Sequence, residues 1–265
     1  MKRQTIHATK KNLDAWYGAF SASQAEIDDF IAKDPVQFPL RYKKRADVEI
    51  AAFIAATIAW GRRDIIIRSA QRIFALMQDG PSAYVMAGDY RALSDKGAAG
   101  DKSLHRTFFE SDLKYFCKGF KACYEKYGSL EKLFARACSD GDIWQGISLF
   151  RAEMATGNDG ACSRHIANPE AGSACKRINL ALRWLARPGP VDLGLWKKMP
   201  LSALHIPLDV HVARNARALG LLERKSNDKK AVIELTEKLR IFCPEDPVKY
   251  DFALFYNASS MQELE

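Results

Sequence analysis

The chain has 265 residues, 48% of them hydrophobic, which is enough to bury a full core in one or two domains. Lys and Arg number 40 against 32 Asp and Glu, giving a formal net charge of +8. This excess suits a polyanionic partner such as nucleic acid, but many soluble proteins are equally basic, so the charge alone identifies no partner.

The cysteine pattern and the apolar runs exclude several classes of protein. The six cysteines include no Cys-x-x-Cys pair, so neither a zinc ribbon nor a redox dithiol is indicated. The N-terminus shows no secretory segment, and the longest apolar run, residues 50–60, is too short to span a bilayer. We therefore expect a cytoplasmic protein with free thiols, without a metal or a cofactor.

Hydrophobic residues recur at helical spacing through most of the chain, and proline and glycine separate the segments. Helices are predicted within residues 1–34, 47–60, 65–77, 108–127, 129–155, 176–185, 207–222, 229–242 and 246–255. No segment shows the alternation typical of a strand, and no internal repeat occurs. The pattern predicts an all-α protein.

The segment 207–222 carries both the start and the stop signals of a helix. Pro207 precedes it, Asp209 lies at the N-cap position, and Gly220 follows its last turn. An aspartate there accepts hydrogen bonds from free backbone amides at the positive end of the helix dipole. Such an anion can cap the helix, take part in chemistry, or do both.

A glycine turn precedes the helix predicted from residue 176. Its backbone amides, at Gly172, Ser173 and Ala174, are of the kind that bind a phosphate. Lys176 in the first helical turn is unusual, because cations are stabilised at the other end of a helix, and this favours a nucleophilic amine. An exposed surface lysine at a helix start is the stronger interpretation of this stretch taken alone.

Gly61, Arg62 and Arg63 join two predicted helices. Two arginines at such a corner suit a phosphate, although solvated arginines are the preferred interpretation of this stretch alone. Trp60 ends the preceding apolar helix. At this position a residue that packs in the core is expected.

Taken together, these stretches resemble the helix-hairpin-helix/Gly-Pro-Asp superfamily of DNA glycosylases. The superfamily hairpin, typically Leu-Pro-Gly-x-Gly-x-Lys-Thr-Ala, is similar to Glu170-Ala-Gly-Ser-Ala-Cys-Lys-Arg-Ile178. Its catalytic block, Val-Asp-Thr-His-Val-x-Arg, is similar to Leu208-Asp-Val-His-Val-Ala-Arg214, and its early helix–turn resembles Ile58-Ala-Trp-Gly-Arg-Arg-Asp64. The resemblance extends over residues 47–255, and within the superfamily it is strongest to a bacterial branch catalogued as a domain of unknown function.

The resemblance implies a single unit over residues 1–265, in which helical subdomains at 47–165 and at 1–46 plus 166–265 flank a cleft. It implies base-excision repair by a monomer that binds double-stranded DNA, at the nucleoid, and flips a damaged nucleotide into the cleft. Lys176 would attack the anomeric carbon and form a Schiff base, which allows strand cleavage by β-elimination. Asp209 would stabilise the positive charge that develops on the sugar.

The resemblance also implies the remaining contacts. DNA contacts are expected from Gly172, Ser173, Ala174, Arg177, His211, Arg214, Arg62 and Arg63. The base pocket or wedge is expected to contain Trp60, Asp251 and Phe255. No cofactor and no metal are expected.

Three departures from the superfamily pattern bear on the substrate. Ala174 replaces the second hairpin glycine, and the four-cysteine iron–sulfur loop of the endonuclease III branch is not found. Asp209 follows Lys176 by 33 residues, a long gap that fits an insertion at residues 187–204. A comparable gap occurs in archaeal-type 8-oxoguanine glycosylases, so an oxidised purine, 8-oxoguanine, is the expected substrate.

Two alternatives stay open. The first is a non-enzymatic helix-hairpin-helix DNA-binding protein, in which Asp209 only caps its helix. The second is a monofunctional glycosylase for an alkylated or deaminated base, in which Lys176 is inactive.

Overall fold

The computed structural model describes residues 3–138 and 141–261, with side chains described at 9–138 and 141–255. Within these residues the fold is helical apart from one short hairpin, which confirms the all-α prediction. The α-helices are α1 (Arg3–Ala22), α2 (Gln24–Lys33), α3 (Arg45–Thr57), α4 (Arg63–Ala75), α5 (Pro81–Ala87), α6 (Glu110–Tyr127), α7 (Leu130–Ala137), α8 (Ile143–Thr156), α9 (Lys176–Ala186), α10 (Val210–Ala218), α11 (Lys229–Phe242) and α12 (Tyr250–Met261). No helix of the described residues has the length and apolar character needed to cross a membrane.

A short antiparallel hairpin, β1 (Ser103–His105) and β2 (Phe108–Phe109), precedes α6. The sequence predicted no strand here, because strands of two and three residues are too short to show an alternating pattern. The His105 ring bonds the carbonyl oxygen of Trp60 over 3.0 Å and the hydroxyl of Ser69 over 3.0 Å. The hairpin therefore fixes the turn between α3 and α4.

Helix α3 is the centre of the core. Its residues from 47 to 57 are all buried, as expected of a helix that is apolar on nearly every face. Asp47 and Glu49 are buried carboxylates in this stretch, and that of the fully buried Glu49 is surrounded by donors. It accepts from the Tyr124 hydroxyl (2.6 Å), the Leu130 amide (3.0 Å), the Trp196 indole (2.9 Å) and the Arg45 guanidinium (3.3 Å).

The other long helices pack in two groups, α6 with α7 and α8, and α12 with α1 and α10. Helix α3 packs against α9 and, through Phe53, against the rings of Phe134 and Phe150. Helix α9 reaches α12 through an ion pair between Arg183 and Asp251. The α3–α9 pair thus joins the two groups, while the division into two subdomains stays a prediction.

The insertion at residues 187–204, which we call the α9 strap, closes the C-terminal end of α9. The amides of Leu193 and Trp196 donate to the carbonyl oxygens of Trp184 and Leu185, each over 2.8 Å. These bonds satisfy carbonyl groups that a helix end leaves free. Since the Trp196 indole also binds Glu49 on α3, the α9 strap fixes α9 against the central helix.

The strap's hydrogen bond to the buried carboxylate can be measured with a matched pair of variants. Trp196→Phe removes the donor to Glu49, and a lost hydrogen bond to a buried charge costs about 1.5–3 kcal/mol. Trp184→Phe makes the same change at an equally buried indole whose Nε1 has no partner among the described residues. In urea unfolding, the free energy of unfolding should fall by about 1.5–3 kcal/mol more in Trp196→Phe than in Trp184→Phe. Equal losses would contradict a stabilising role of the hydrogen bond to Glu49.

Candidate functional site

A cleft of about 1100 Å³ lies where the C-terminal end of α3 meets the starts of α4, α9, α10 and α12. It is large enough for a nucleotide-sized ligand. Residues far apart in the sequence meet in its wall. The predicted site residues that line it are Lys176, Asp209, Trp60, Arg62, Arg63, His211, Arg214, Asp251 and Phe255.

Asp209 uses its two carboxylate oxygens differently. Oδ1 accepts from the amides of His211 (2.9 Å) and Val212 (2.8 Å), which confirms the predicted N-cap of α10. Oδ2 lies 3.7 Å from the Lys176 amine. The side chain of Asp209 is 15% exposed and that of Lys176 31%, so the pair is open to the cleft. One carboxylate therefore caps a helix and contacts the candidate nucleophile.

The surroundings of Lys176 account for a cation at the start of a helix. Its amine lies 3.4 Å from the carbonyl oxygen of Ala59, just beyond the end of α3. The Arg177 guanidinium donates to the carbonyl oxygen of Thr57 over 3.0 Å. Helix C-termini attract cations, so the end of α3 compensates for the unfavourable dipole of α9.

Arg177 does not line the cleft, although it was predicted to grip a phosphate. Besides its bond to Thr57, its guanidinium carbon lies 5.2 Å from the centre of the Trp60 ring. Burial lowers the pKa of Arg177. In this arrangement Arg177 joins α9 to the end of α3.

The glycine turn lies next to Lys176 but outside the cleft wall. Gly172 has a φ of +80° with open space around it, and its carbonyl oxygen accepts from the Lys229 amide over 2.9 Å. Ser173 Oγ accepts from the Cys175 amide over 3.3 Å, and the Ala174 carbonyl from the Asn179 side chain over 3.1 Å. No side chain caps α9, so phosphate binding by this turn stays a prediction.

The two arginines of the α3–α4 corner differ in their contacts. Arg62 is 78% exposed and pairs with Asp64 over 3.1 Å, as a solvated helix corner would. The Arg63 guanidinium carbon lies 5.1 Å from the centre of the Phe255 ring at the cleft wall. The guanidinium of Arg106, which the sequence analysis missed, occupies the place where a Cβ at Gly61 (φ +97°) would lie.

Trp60 is partly buried and in contact with two other rings. His105 meets it edge to face at 4.6 Å, and His165 stacks on it at 5.9 Å. With the Arg177 contact, these neighbours favour a packing role for most of the ring. Trp60 also lines the cleft.

The wall of the cleft continues into a group of buried charges. Arg183 donates to Asp192 over 3.1 Å and also to Asp251, and Arg187 donates to Asp192 over 3.1 Å and to Asp246 over 2.8 Å. We call these five residues the buried ion cluster. Its two cations and three carboxylates leave one surplus negative charge.

Asp246 and Asp251 each leave Oδ1 without a hydrogen-bond partner among the described residues, and of the two only Asp251 lies at the cleft. Its side chain is buried and lines the cleft, and its Oδ1 has no hydrogen-bond partner among the described residues. Burial raises the pKa of Asp251 from 3.8 to about 6, Arg183 opposes the shift, and the charges of Asp209 and Asp192 add to it. Asp251 is thus a carboxyl group with one oxygen left for a ligand.

Two more charged residues of the wall were not found from the sequence. Asp34 caps a short 3-10 turn by accepting from the Val36 amide over 3.0 Å, and its Asp-Pro step was interpreted only as a helix break. Burial raises the pKa of Asp34, against the attraction of Arg183, Arg63 and Lys176. Arg183 lies within a helix whose spacing gives no sign of a buried cation.

No group of three or more metal-ligating side chains occurs in the described part of the chain.

The raised pKa of Asp251 predicts a pH-dependent contribution to stability. Between about pH 4 and pH 6 the unfolded chain has this carboxyl ionised while the folded protein keeps it protonated, so raising the pH favours unfolding. Asp251→Asn lacks this proton release, and its amide can place a carbonyl on Arg183. Its free energy of unfolding should therefore rise relative to that of the wild type as pH increases through this window. A constant difference in urea titrations at several pH values would disprove the raised pKa.

The comparisons with known proteins give a family. The profile described as "Protein of unknown function (DUF2400)" matches residues 34–259, which include Asp34, Lys176, Asp209 and Asp251. No curated protein and no solved structure matches the chain. Because the family match covers most of its length, the chain belongs to the DUF2400 family.

Proposed function

We propose that this protein is a DNA glycosylase with associated abasic-site lyase activity, of the helix-hairpin-helix type, that removes an oxidised purine such as 8-oxoguanine. The observation that carries this proposal is the Lys176–Asp209 pair, 3.7 Å apart in the wall of a nucleotide-sized cleft. An amine next to a fixed carboxylate is the arrangement that Schiff-base chemistry on a sugar needs.

The reaction can be written on these two side chains. Asp209 Oδ2 accepts a proton from the Lys176 ammonium, and the neutral amine attacks C1′ of the flipped nucleotide. The N-glycosidic bond breaks, and the base leaves with the bonding electrons and takes up the proton held by Asp209. Asp209 then accepts a proton from the C1′-bound lysine nitrogen and passes it to O4′ as the sugar ring opens to an iminium ion. Loss of a C2′ proton expels the 3′ phosphate, and water attacks C1′, releasing the lysine and leaving an aldehyde.

The charges of the cleft support a nucleic acid ligand. Its rim carries the exposed cations Arg62, Arg63 and Arg214, which suit phosphates, whereas its floor carries the carboxyl groups of Asp34 and Asp251. An acidic floor repels a phosphate and accepts N–H groups. An oxidised purine presents an N7–H donor that guanine lacks, and the buried Oδ1 of Asp251, which has no hydrogen-bond partner among the described residues, would accept from such a group.

Borohydride trapping tests the nucleophile. On duplexes with 8-oxoguanine or an abasic site, the wild type should form a covalent adduct and Lys176→Gln should form none. Lys33 also lines the cleft, but its amine is paired with Asp29 over 2.5 Å, so Lys33→Gln should retain the adduct. The mechanism is wrong if no substrate in a lesion panel gives an adduct, or if Lys176→Gln still traps.

Asp209→Asn separates capping from chemistry. Asparagine caps helices as well as aspartate does, so the free energy of unfolding should change by about 1 kcal/mol or less. The charge facing Lys176 is lost, and the single-turnover excision rate should fall about 100-fold or more. An unchanged rate with unchanged stability would mean that Asp209 only caps α10.

Two other functions have a specific observation in their favour. Asp209 does cap α10, as a non-enzymatic DNA-binding protein would require, and such a protein would bind DNA without altering it. The Lys176 amine is engaged by Asp209 and Ala59, as in a monofunctional glycosylase where the lysine is inactive. That enzyme would leave an intact abasic strand, which product analysis distinguishes from a cleaved one.

A further inference from the structure

The α9 strap contributes Arg187 and Asp192 to the buried ion cluster, and of the two only Asp192 binds Arg183 of the cleft wall. Asp192 does not line the cleft, yet both of its oxygens bind arginines of the buried ion cluster: Oδ1 binds Arg183, and Oδ2 binds Arg187, each over 3.1 Å. We propose that Asp192 is a positioning residue that sets, through Arg183, the charge with which Asp251 meets a ligand.

The Arg183 guanidinium is shared between two carboxylates. Its Nε binds Asp192 and its Nη1 binds Asp251, while its guanidinium carbon lies 4.4 Å from the centre of the Phe252 ring. A guanidinium shared between two carboxylates neutralises neither of them completely. Asp192 is also held by Arg187, whereas Asp251 has Arg183 as its hydrogen-bonding cation and borders the cleft. The incompletely balanced charge therefore lies at the two ends of the cluster, on Asp246 and Asp251, and of these only Asp251 borders the cleft.

The other charged groups around Asp251 act in the same sense or lie farther away. From α10, the carboxylate of Asp209 adds a negative charge, and Arg183 is also within reach of Asp34. From α1, Asp14 is engaged by Tyr250 over 2.8 Å and by Lys249 over 3.3 Å. Asp246 binds Arg187 over 2.8 Å rather than Arg183. Asp192 is thus the residue outside the cleft that competes directly for the Asp251 cation.

This role of Asp192 affects which hydrogen-bonding groups of a base the floor of the cleft accepts. This step rests on the proposed function. With its charge, Asp251 Oδ1 accepts an N–H; with a proton, the same group also donates to a ring nitrogen or a carbonyl. A residue that sets this charge therefore determines the pH range over which an N–H-bearing base is preferred to one that carries only acceptors.

The test is a carbon-13 NMR titration of aspartate carboxyl groups in the intact protein, with the Asp251 signal assigned by its loss in Asp251→Asn. Asp192→Asn should lower the pKa of Asp251 from about 6 by about one unit, because Arg183 is then no longer shared between two charges. Asp246→Asn is the matched control. It removes a carboxylate of the same cluster that does not touch Arg183, and its shift should be clearly smaller.

Asp192→Asn places an amide donor next to an arginine and can fail to fold. In that case Asp192→Asn with Arg187→Gln gives this donor a carbonyl partner, and its Asp251 pKa is compared with that of Arg187→Gln alone, so that the loss of the Arg187 charge cancels. The pKa should be lower in the double variant. The proposal is overturned by an unchanged Asp251 pKa in folded Asp192→Asn, by equal pKa values in the double variant and Arg187→Gln, or by an equal shift in Asp246→Asn.

The NMR titration tests the role of Asp192, and the DNA assays test the proposed function. The titration needs no DNA, so a pKa that moves in a protein without action on any lesion would refute the proposed function and leave the role of Asp192 intact. In an active enzyme, lesion binding should weaken at acidic pH as Asp251 becomes protonated. In Asp192→Asn this loss of binding should move to lower pH by the same amount as the pKa of Asp251. If the pH dependence of binding stays fixed while the pKa moves, Asp251 does not meet the ligand, which also overturns the proposal.

Discussion

The structure depends on the contact between the C-terminal end of α3 and the N-terminal end of α9. Carbonyl oxygens at the end of α3 receive Lys176 and Arg177, the first two residues of α9. Two helix ends that meet with opposite partial charges attract each other, and the cations at this junction add to the attraction. The same contact places Lys176 opposite Asp209 at the start of α10. A lysine that is unfavourable for its own helix is thereby held at the wall of a cleft.

The C-terminal end of α9 is also held in place by contacts with the rest of the chain. The α9 strap caps its last carbonyl groups, binds Glu49 of α3 through Trp196, and contributes Asp192 to the buried ion cluster. Buried charges are costly unless they are paired and hydrogen-bonded, and here each arginine meets two carboxylates. Because the cluster ends at Asp251 in the cleft wall, the insertion connects the packing of the central helices with the charge of the site.

Local signals in the sequence predicted much of this arrangement. The N-cap at Asp209, the start of α9 at Lys176 and the bounds of α11 follow from residues within one or two helical turns, and the structure confirms them. The direction of Arg177 could not be predicted, because it depends on a carbonyl oxygen 120 residues earlier in the chain. Asp34 was missed for the same reason: an Asp-Pro step gives a local break, but only the fold brings it into the cleft wall.

The cleft combines features that a helix cap and a buried ion cluster do not by themselves require. A helix cap needs one carboxylate oxygen, and Asp209 leaves the second in front of Lys176. The buried ion cluster leaves Oδ1 of Asp246 and Oδ1 of Asp251 without a hydrogen-bond partner among the described residues, and of the two only Asp251 lines the cleft. An unsatisfied buried acceptor costs stability, so the one in the cleft wall marks a position where a ligand could supply the missing donor. Under the proposed function that donor is an N–H of a base turned out of its duplex, while the cationic rim meets the phosphates.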